Sequence, residues 1–206
     1  FLPGKNYSLR ALKRVVSENT FWAAMLISIE NFENYRETYT ELASDKLIQT
    51  YCAIIRSALS EKDYFGSISD NEFLIITDGL KAEKIANFLT FAFDTVIQKF
   101  YSAQDLKRGY MIMQGDEQAG RRSDFMHTTI GVVTNEFKKY SDPQEVLASL
   151  SNIHSIANLP SKSNYLMERA KISAEDSVQE QKFNRKITVI EKDEAMTLLL
   201  STILGM

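Results

Sequence analysis

Apolar and polar positions along this chain follow two periods, and the switches between them mark out its elements. Leu9, Leu12 and Val15-Val16 recur at helical spacing after a turn at Leu2-Pro3-Gly4-Lys5-Asn6, so the chain is expected to open on a helix. Phe21-Trp22-Ala23-Ala24-Met25-Leu26-Ile27-Ser28-Ile29 is then almost wholly apolar, the mark of a strand buried on both faces and central in its sheet. Glu30-Asn31-Phe32 ends that run, and two helical segments are read over roughly 32–40 and 43–60. Two β-prone runs, Tyr64 to Ile68 and Phe73 to Thr77, flank Ser69-Asp70-Asn71-Glu72. Asp and Asn tolerate the left-handed backbone that close turns need, so a hairpin is predicted. A long helix from Lys81 to Phe100 follows, with Ile85, Phe88, Leu89, Phe91-Ala92 and Val96-Ile97 assigned to its apolar side. The stretch from Tyr101 to Ser123 reads as polar with one strand-like run at Tyr110-Met111-Ile112-Met113. Thr128 to Thr134 is a second clear strand, and Ser141-Asp142-Pro143 opens a helix running to about Asn158. Tyr165-Leu166-Met167 is expected as a short edge strand. This order predicts an α/β fold, a mixed central sheet with helices covering its faces.

Beyond that domain, residues 173–185 are polar and without periodicity, which marks a linker. Lys186 to Ile190 reads as a strand, Glu191-Lys192-Asp193 as a turn and Glu194 to Leu204 as a helix. The 186–206 segment resembles the first β-α unit of a response-regulator receiver, an incomplete one. A single such unit cannot bury both its faces, so it is expected to pack on a neighbour or to belong to a longer chain. A receiver has two adjacent acids here for Mg²⁺, and Lys192 stands at the second place.

Composition narrows the classes of function. The hydrophobic fraction of 44% and charged fraction of 25% are those of an ordinary globular protein. A net charge of −3 gives no broad footprint for nucleic acid or an anionic membrane. No apolar run approaches the ~20 residues of a membrane span and no secretory signal is read, so the cytoplasm is the expected location. The single Cys52 excludes an internal disulfide and falls on a helical apolar stripe, where a buried thiol is expected. His127 and His154 stand alone in the sequence and are read as packing or surface histidines.

Several motifs, in order, resemble the GGDEF family of diguanylate cyclases over residues 1–172. The family's five signature letters fall on Ser69, Asp70, Asn71, Glu72 and Phe73, of which the last two match. Leu2-Pro3-Gly4 and Asn6 match the family's opening turn, and Ser28-Ile29-Glu30-Asn31-Phe32 stands where it writes Asp-x-Asp-x-Phe. Thr38-Tyr39 and Asp45 recur at the expected distances, and Ile130-Gly131-Val132 resembles a later strand of the family. Lys99 through Met126 looks like a hairpin insertion carried by some members. The resemblance implies a nucleotidyl-cyclase-like fold, with a ferredoxin-like palm.

It also implies where chemistry would lie. Joining two GTP molecules needs Mg²⁺ to neutralise the triphosphate and activate the attacking hydroxyl. The family's two metal carboxylates correspond to Ser28 and Asn71, a hydroxyl and an amide; Glu30 and Glu72 remain as displaced acids. Ser69 and Asp70 replace the glycines that let backbone N–H groups approach phosphate, and Asp70 adds a repelling charge. The guanine-reading Asn corresponds to Arg36, while its partner acid is kept as Asp45. Of two late basic phosphate contacts, Asn158 replaces one and Lys162 stands near the other. The inhibitory Arg-x-x-Asp falls on Ser60-Glu61-Lys62-Asp63, which keeps the acid and lacks the arginine.

The expected protein is therefore a catalytically inactive GGDEF domain with no metal or other cofactor. It would serve as a protein-interaction or dimerisation module in cyclic di-GMP or two-component signalling. The alternatives are a sensor holding GTP or cyclic di-GMP through Arg36, Asp45, Lys162 and Lys62, and a weak enzyme using Glu30 and Glu72 for metal.

Overall fold

The computed structural model describes residues 2–114 and 120–168; the linker and the receiver-like segment read from the sequence lie outside them. Helix α1 (Lys5–Ser17) precedes β1 (Trp22–Glu30), α2 (Phe32–Thr38) and α3 (Glu41–Ala58). The predicted hairpin is β2 (Tyr64–Ser67) and β3 (Glu72–Asp78), followed by α4 (Ala82–Ile97) and a 3-10 turn at Gln98–Phe100. Then come α5 (Ala103–Arg108), β4 (Met111–Ile112), β5 (Arg122–Ser123), β6 (His127–Thr134), α6 (Pro143–Ala157) and β7 (Asn164–Met167).

Five strands form the main sheet in the order β2-β3-β1-β6-β7. All neighbours are antiparallel except β6 and β7, which run parallel, so the sheet is mixed and mostly antiparallel. β1 is central, as its unbroken apolar run predicted. Its side chains divide by parity between two cores. Ala23, Met25, Ile27 and Ile29 pack with Leu47, Tyr51 and Ile55 of α3 and Leu89 and Phe93 of α4. Trp22 and Ala24 pack on the opposite face with Leu12 of α1 and Val146 and Leu150 of α6. Fully burying such aliphatic side chains contributes about 1.5–3 kcal/mol each. Two cores sharing one strand are what fix the register of β1. Cys52 is buried on α3, as its place on the helical stripe predicted.

Two readings of the sequence need correction. Phe88 and Phe91, assigned to the apolar side of α4, point outward: they are 43% and 71% exposed. The buried stripe of α4 runs through Ile85, Ala86, Leu89, Phe93 and Ile97, and it is complete without them. The stretch after Tyr101 is also more ordered than its polarity suggested. Ser102 Oγ accepts from the Asp105 N–H at 3.1 Å to start α5, and Gly109 ends that helix in the left-handed region at φ +83°. The strand-like run there pairs β4 with β5 as a separate two-stranded ribbon.

The opening turn packs directly on the hairpin. Ser67 N–H donates to the Pro3 carbonyl at 2.8 Å, and a Cβ on Gly66 would come within 2.8 Å of that same carbonyl oxygen. Glycine at 66 is what lets the chain's start lie against β2.

Candidate functional site

The C-terminal end of β1 brings the predicted site residues together. Ser28 is paired with Glu72 of β3 on one side and Thr129 of β6 on the other, so all three side chains rise from the same face of the sheet. Glu30 is cross-strand from His127 in the next such row. Beneath, the Ser28 carbonyl accepts from Thr128 Oγ1 at 2.9 Å, and Tyr51 of α3 holds Thr128 in turn through its hydroxyl at 2.9 Å.

The hairpin turn folds over this end. Ile68 N–H donates to the Glu72 carbonyl at 2.8 Å, and Ser69 Oγ reaches Asn71 Oδ1 at 3.3 Å and Glu72 Oε2 at 3.1 Å. Asn71 clamps the strand: its Nδ2 donates to the Ile29 carbonyl at 3.0 Å, and its own carbonyl accepts from Ile29 N–H at 3.0 Å. Its amide donor therefore serves the backbone. Arg36 of α2 pairs with Glu33 at 2.5 Å and with Asp70 at 3.5 Å, tying α2 to the turn.

One residue of this centre was not assigned to it from sequence. His154 of α6 places Nε2 2.7 Å from Ser28 Oγ and 3.9 Å from Glu30 Oε1, and Ser28 Oγ also hydrogen-bonds Glu30. Two signals in the chain lead to it. Val146, Leu150 and Ala157 are the buried residues of α6, and position 154, four residues after Leu150, lies on that inward stripe. Opposite it lies Gly131, where a Cβ would meet the His154 backbone nitrogen at 2.7 Å. The glycine lets α6 sit down on β6 at the height of Ser28.

Burial pushes the His154 pKa below the ordinary histidine value, partly offset by the charges of Glu30 and Glu72 and by the Thr129 backbone. His127 is also buried, with Nε2 3.4 Å from Asn158 Oδ1. His154 is partly buried and packs inside the site.

Other predicted positions stay apart. Asp45 is exposed on α3, and Lys162 is exposed before β7 in an isolated bridge with Leu159. Ser60 and Asp63 form their own closed turn, in which Asp63 Oδ2 accepts from both Ser60 N–H and Ser60 Oγ at 2.7 Å. Burial pushes the Asp63 carboxyl up, but these bonds from Ser60, with the Lys81 charge assisting, bring it below its usual range.

The donor set does not fit the Mg²⁺ that the resemblance implies. Ser28 offers a hydroxyl already engaged by Glu30 and His154, and Asn71 turns its amide donor to the backbone, whereas hard Mg²⁺ selects carboxylate oxygens. Among the described residues, no three His, Cys, Asp or Glu side chains gather closely enough to hold a metal ion. None of the described helices is long and apolar enough to cross a membrane.

A mixed, mostly antiparallel sheet flanked by helices, with the candidate site at the end of its central strand β1, defines the class of α/β domain. The family model described as "Diguanylate cyclase, GGDEF domain" matches residues 5–153, and the chain belongs to that family. No curated protein sequence matches the chain. Solved structures share its fold at low identity. The active GGEEF domain of a diguanylate cyclase from Vibrio cholerae aligns with a TM-score of 0.62 at 12% identity, over 83% of this chain and 100% of its own. The diguanylate cyclase SiaD from Pseudomonas aeruginosa, in complex with its activator SiaC, gives 0.57 at 12%, over 81% and 59%. The S helix-GGDEF-EAL portion of Vibrio cholerae LapD, bound to c-di-GMP, gives 0.56 at 16%, over 99% and 40%.

Proposed function

We propose that this GGDEF domain makes no cyclic di-GMP and acts through contacts with protein in cyclic di-GMP signalling. One observation carries the reading: where the resemblance places a metal carboxylate, Ser28 is held by His154 and Glu30 in a closed set of hydrogen bonds. Phosphoryl transfer depends on positioned charge at that spot, and the residues there supply an imidazole and a hydroxyl instead. The surroundings add to the mismatch. Asp70, Glu30 and Glu72 would face a triphosphate with negative charge, and Arg36 is already paired with Glu33 and Asp70. The solved complex of SiaD with SiaC is an instance in this fold of a GGDEF protein held by a protein partner.

The test is to incubate the protein with GTP and Mg²⁺ or Mn²⁺ and to titrate it calorimetrically with GTP and with cyclic di-GMP. The expected result is no dinucleotide formed and no binding tighter than about 10 μM. Dinucleotide formation abolished by Glu72→Gln would overturn the reading in favour of an enzyme. Tighter binding without turnover would make the domain a nucleotide sensor.

A further inference from the structure

Helix α4 buries one stripe, from Ala82 to Ile97, against α3 and β6. On its outer side a second stripe runs through Lys84, Phe88, Phe91 and Thr95, all exposed, in steps of four, three and four residues. Such steps keep side chains on one line along a helix, the spacing of a seam between two packed helices. Toward α3 the apolar surface continues through the half-buried Ala92 and Val96 to Ile54. The cleft between α3 and α4 is already filled, with about 10 Å³ left among Ile54, Val96 and Phe100. That leaves no room for a small ligand, so this surface is one to be covered by an element laid across it.

Charge along the seam points to which element. Lys84 stands at one end, in no ion pair among the described residues. Asp94 stands on the flank at the other end, exposed, with Oδ1 accepting from Ser163 Oγ and Oδ2 outside that bond. A second α4 laid parallel would set lysine on lysine and aspartate on aspartate. Laid antiparallel, with the centre at the level of Leu89 and Thr90, it sets Phe88 against Phe91 and Lys84 beside Asp94, each contact made twice. The outer face of α4 is complementary to itself with the chain direction reversed.

We infer that α4 docks on α4 of a second copy of this chain, antiparallel about a two-fold axis, with Phe88 of each copy packed on Phe91 of the other. The phenylalanines are the anchors, and the Lys84–Asp94 pairs fix the direction. The inference rests on the reading above that the domain works through protein contacts, and it names the surface and the partner.

Sedimentation velocity of the full chain is the test. A monomer–dimer equilibrium with Kd on the order of 100 μM is expected, in keeping with a small apolar interface. Phe91→Glu should weaken the dimer at least about tenfold. Phe91 is an exposed side chain, so the domain keeps its fold. Leu42→Ser, at another exposed apolar residue on α3, should leave Kd unchanged. Lys84→Glu should weaken the dimer about fivefold. Adding Asp94→Asn, whose amide oxygen still accepts from Ser163, should recover part of that loss. A chain that stays monomeric at about 1 mM overturns the inference and leaves the face to a different protein. So does a dimer indifferent to Phe91→Glu, or one weakened equally by Leu42→Ser, which would be unspecific adhesion. Weakening by Phe91→Glu without any by Lys84→Glu overturns the antiparallel arrangement. GTP turnover, assayed separately, tests the reading of the domain: an inactive monomer sinks only this interface, and an active dimer sinks only that reading.

Discussion

The end of β1 and the corner around Asp63 are the two places where the resemblance implies nucleotide chemistry, and they are built in opposite ways. At the first, Ser28, Glu30 and His154 have closed on one another beneath α6, with Ser28 only 4% exposed. At the second, the implied arginine is Ser60, yet the surface stays concave, with about 520 and 400 Å³ open beside it. A hydroxyl in a packed centre is bonded by its neighbours and acts as part of the core. A serine on an exposed rim leaves a hollow open beside it. The first region should therefore behave as structure under mutation, and the second as surface.

The largest effect is expected at Gly131. Replacing it with Val would drive a branched side chain into the His154 backbone, 2.7 Å from the new Cβ, and α6 would have to lift from β6. A cost of about 3 kcal/mol is expected, in the range of severe overpacking, read as the shift in a urea unfolding curve. A loss below about 1 kcal/mol would mean that α6 yields there, and that the Ser28 centre is less closed than its hydrogen bonds imply.

Next is Ser28→Asp, which restores the type of residue the resemblance implies. A carboxylate at this buried position would meet Glu30 across the existing hydrogen bond and Glu72 across the strand pair. Crowding like charges in a dry site should cost about 2 kcal/mol, and Asn71→Glu beside it should add to the loss. No GTP turnover is expected from either. Turnover by the double variant would show that the centre is a live site short of two charges.

A pH titration separates the two regions more finely. The fold holds His154 with its pKa lowered, first by burial, while an unfolded chain has the ordinary value near ~6.5. The unfolded state then binds the proton more readily, so stability is full above about pH 6.5 and is lost as pH falls toward the lower folded value. His154→Gln should flatten that part of the profile. Substitutions at Lys81 or Lys84 should leave it unchanged, because neither faces the imidazole. Equal slopes in wild type and His154→Gln would remove His154 as the cause.

How much of this was readable in the chain follows from what each residue type requires. The β1 run, the turn at Ser69 to Glu72 and the Asp142-Pro143 start of α6 carry local signals that depend on few neighbours, and each was placed within a residue or two. Ser28 and Asn71 could be placed at the end of β1 and in the hairpin turn, because their positions follow from spacing alone. His154 was not assigned to the site, because its role depends on which strand α6 covers, and only the pair of Gly131 and a helical stripe through Leu150 hints at that. Phe88 and Phe91 were misassigned for a related reason. Apolar residues on a helix show which faces could be buried, and the partners available decide which one is. α4 already had a complete inward stripe, so the two phenylalanines were left outside. The Ser102 and Gly109 signals of α5 lay in the chain, obscured by the polarity around them.

The smallest effect on stability is expected from Ser60→Arg, which rebuilds Arg-x-x-Asp at the open corner. It removes the Ser60 Oγ bond to Asp63, but the Ser60 N–H bond to the same oxygen remains. A single exposed hydrogen bond contributes about 0.5–1 kcal/mol, and the new side chain has an existing hollow beside it to enter. The unfolding midpoint should barely move, which would set this corner apart from Gly131 and Ser28 as a surface that takes a large residue without repacking. The regained guanidinium also offers two parallel donors to a phosphate, so affinity for cyclic di-GMP should rise at least about tenfold over the parent chain, measured calorimetrically. A loss of stability comparable to that of Gly131→Val would show that the Ser60–Asp63 turn is as much a part of the core as His154, and the contrast between a closed centre and an open rim would fail.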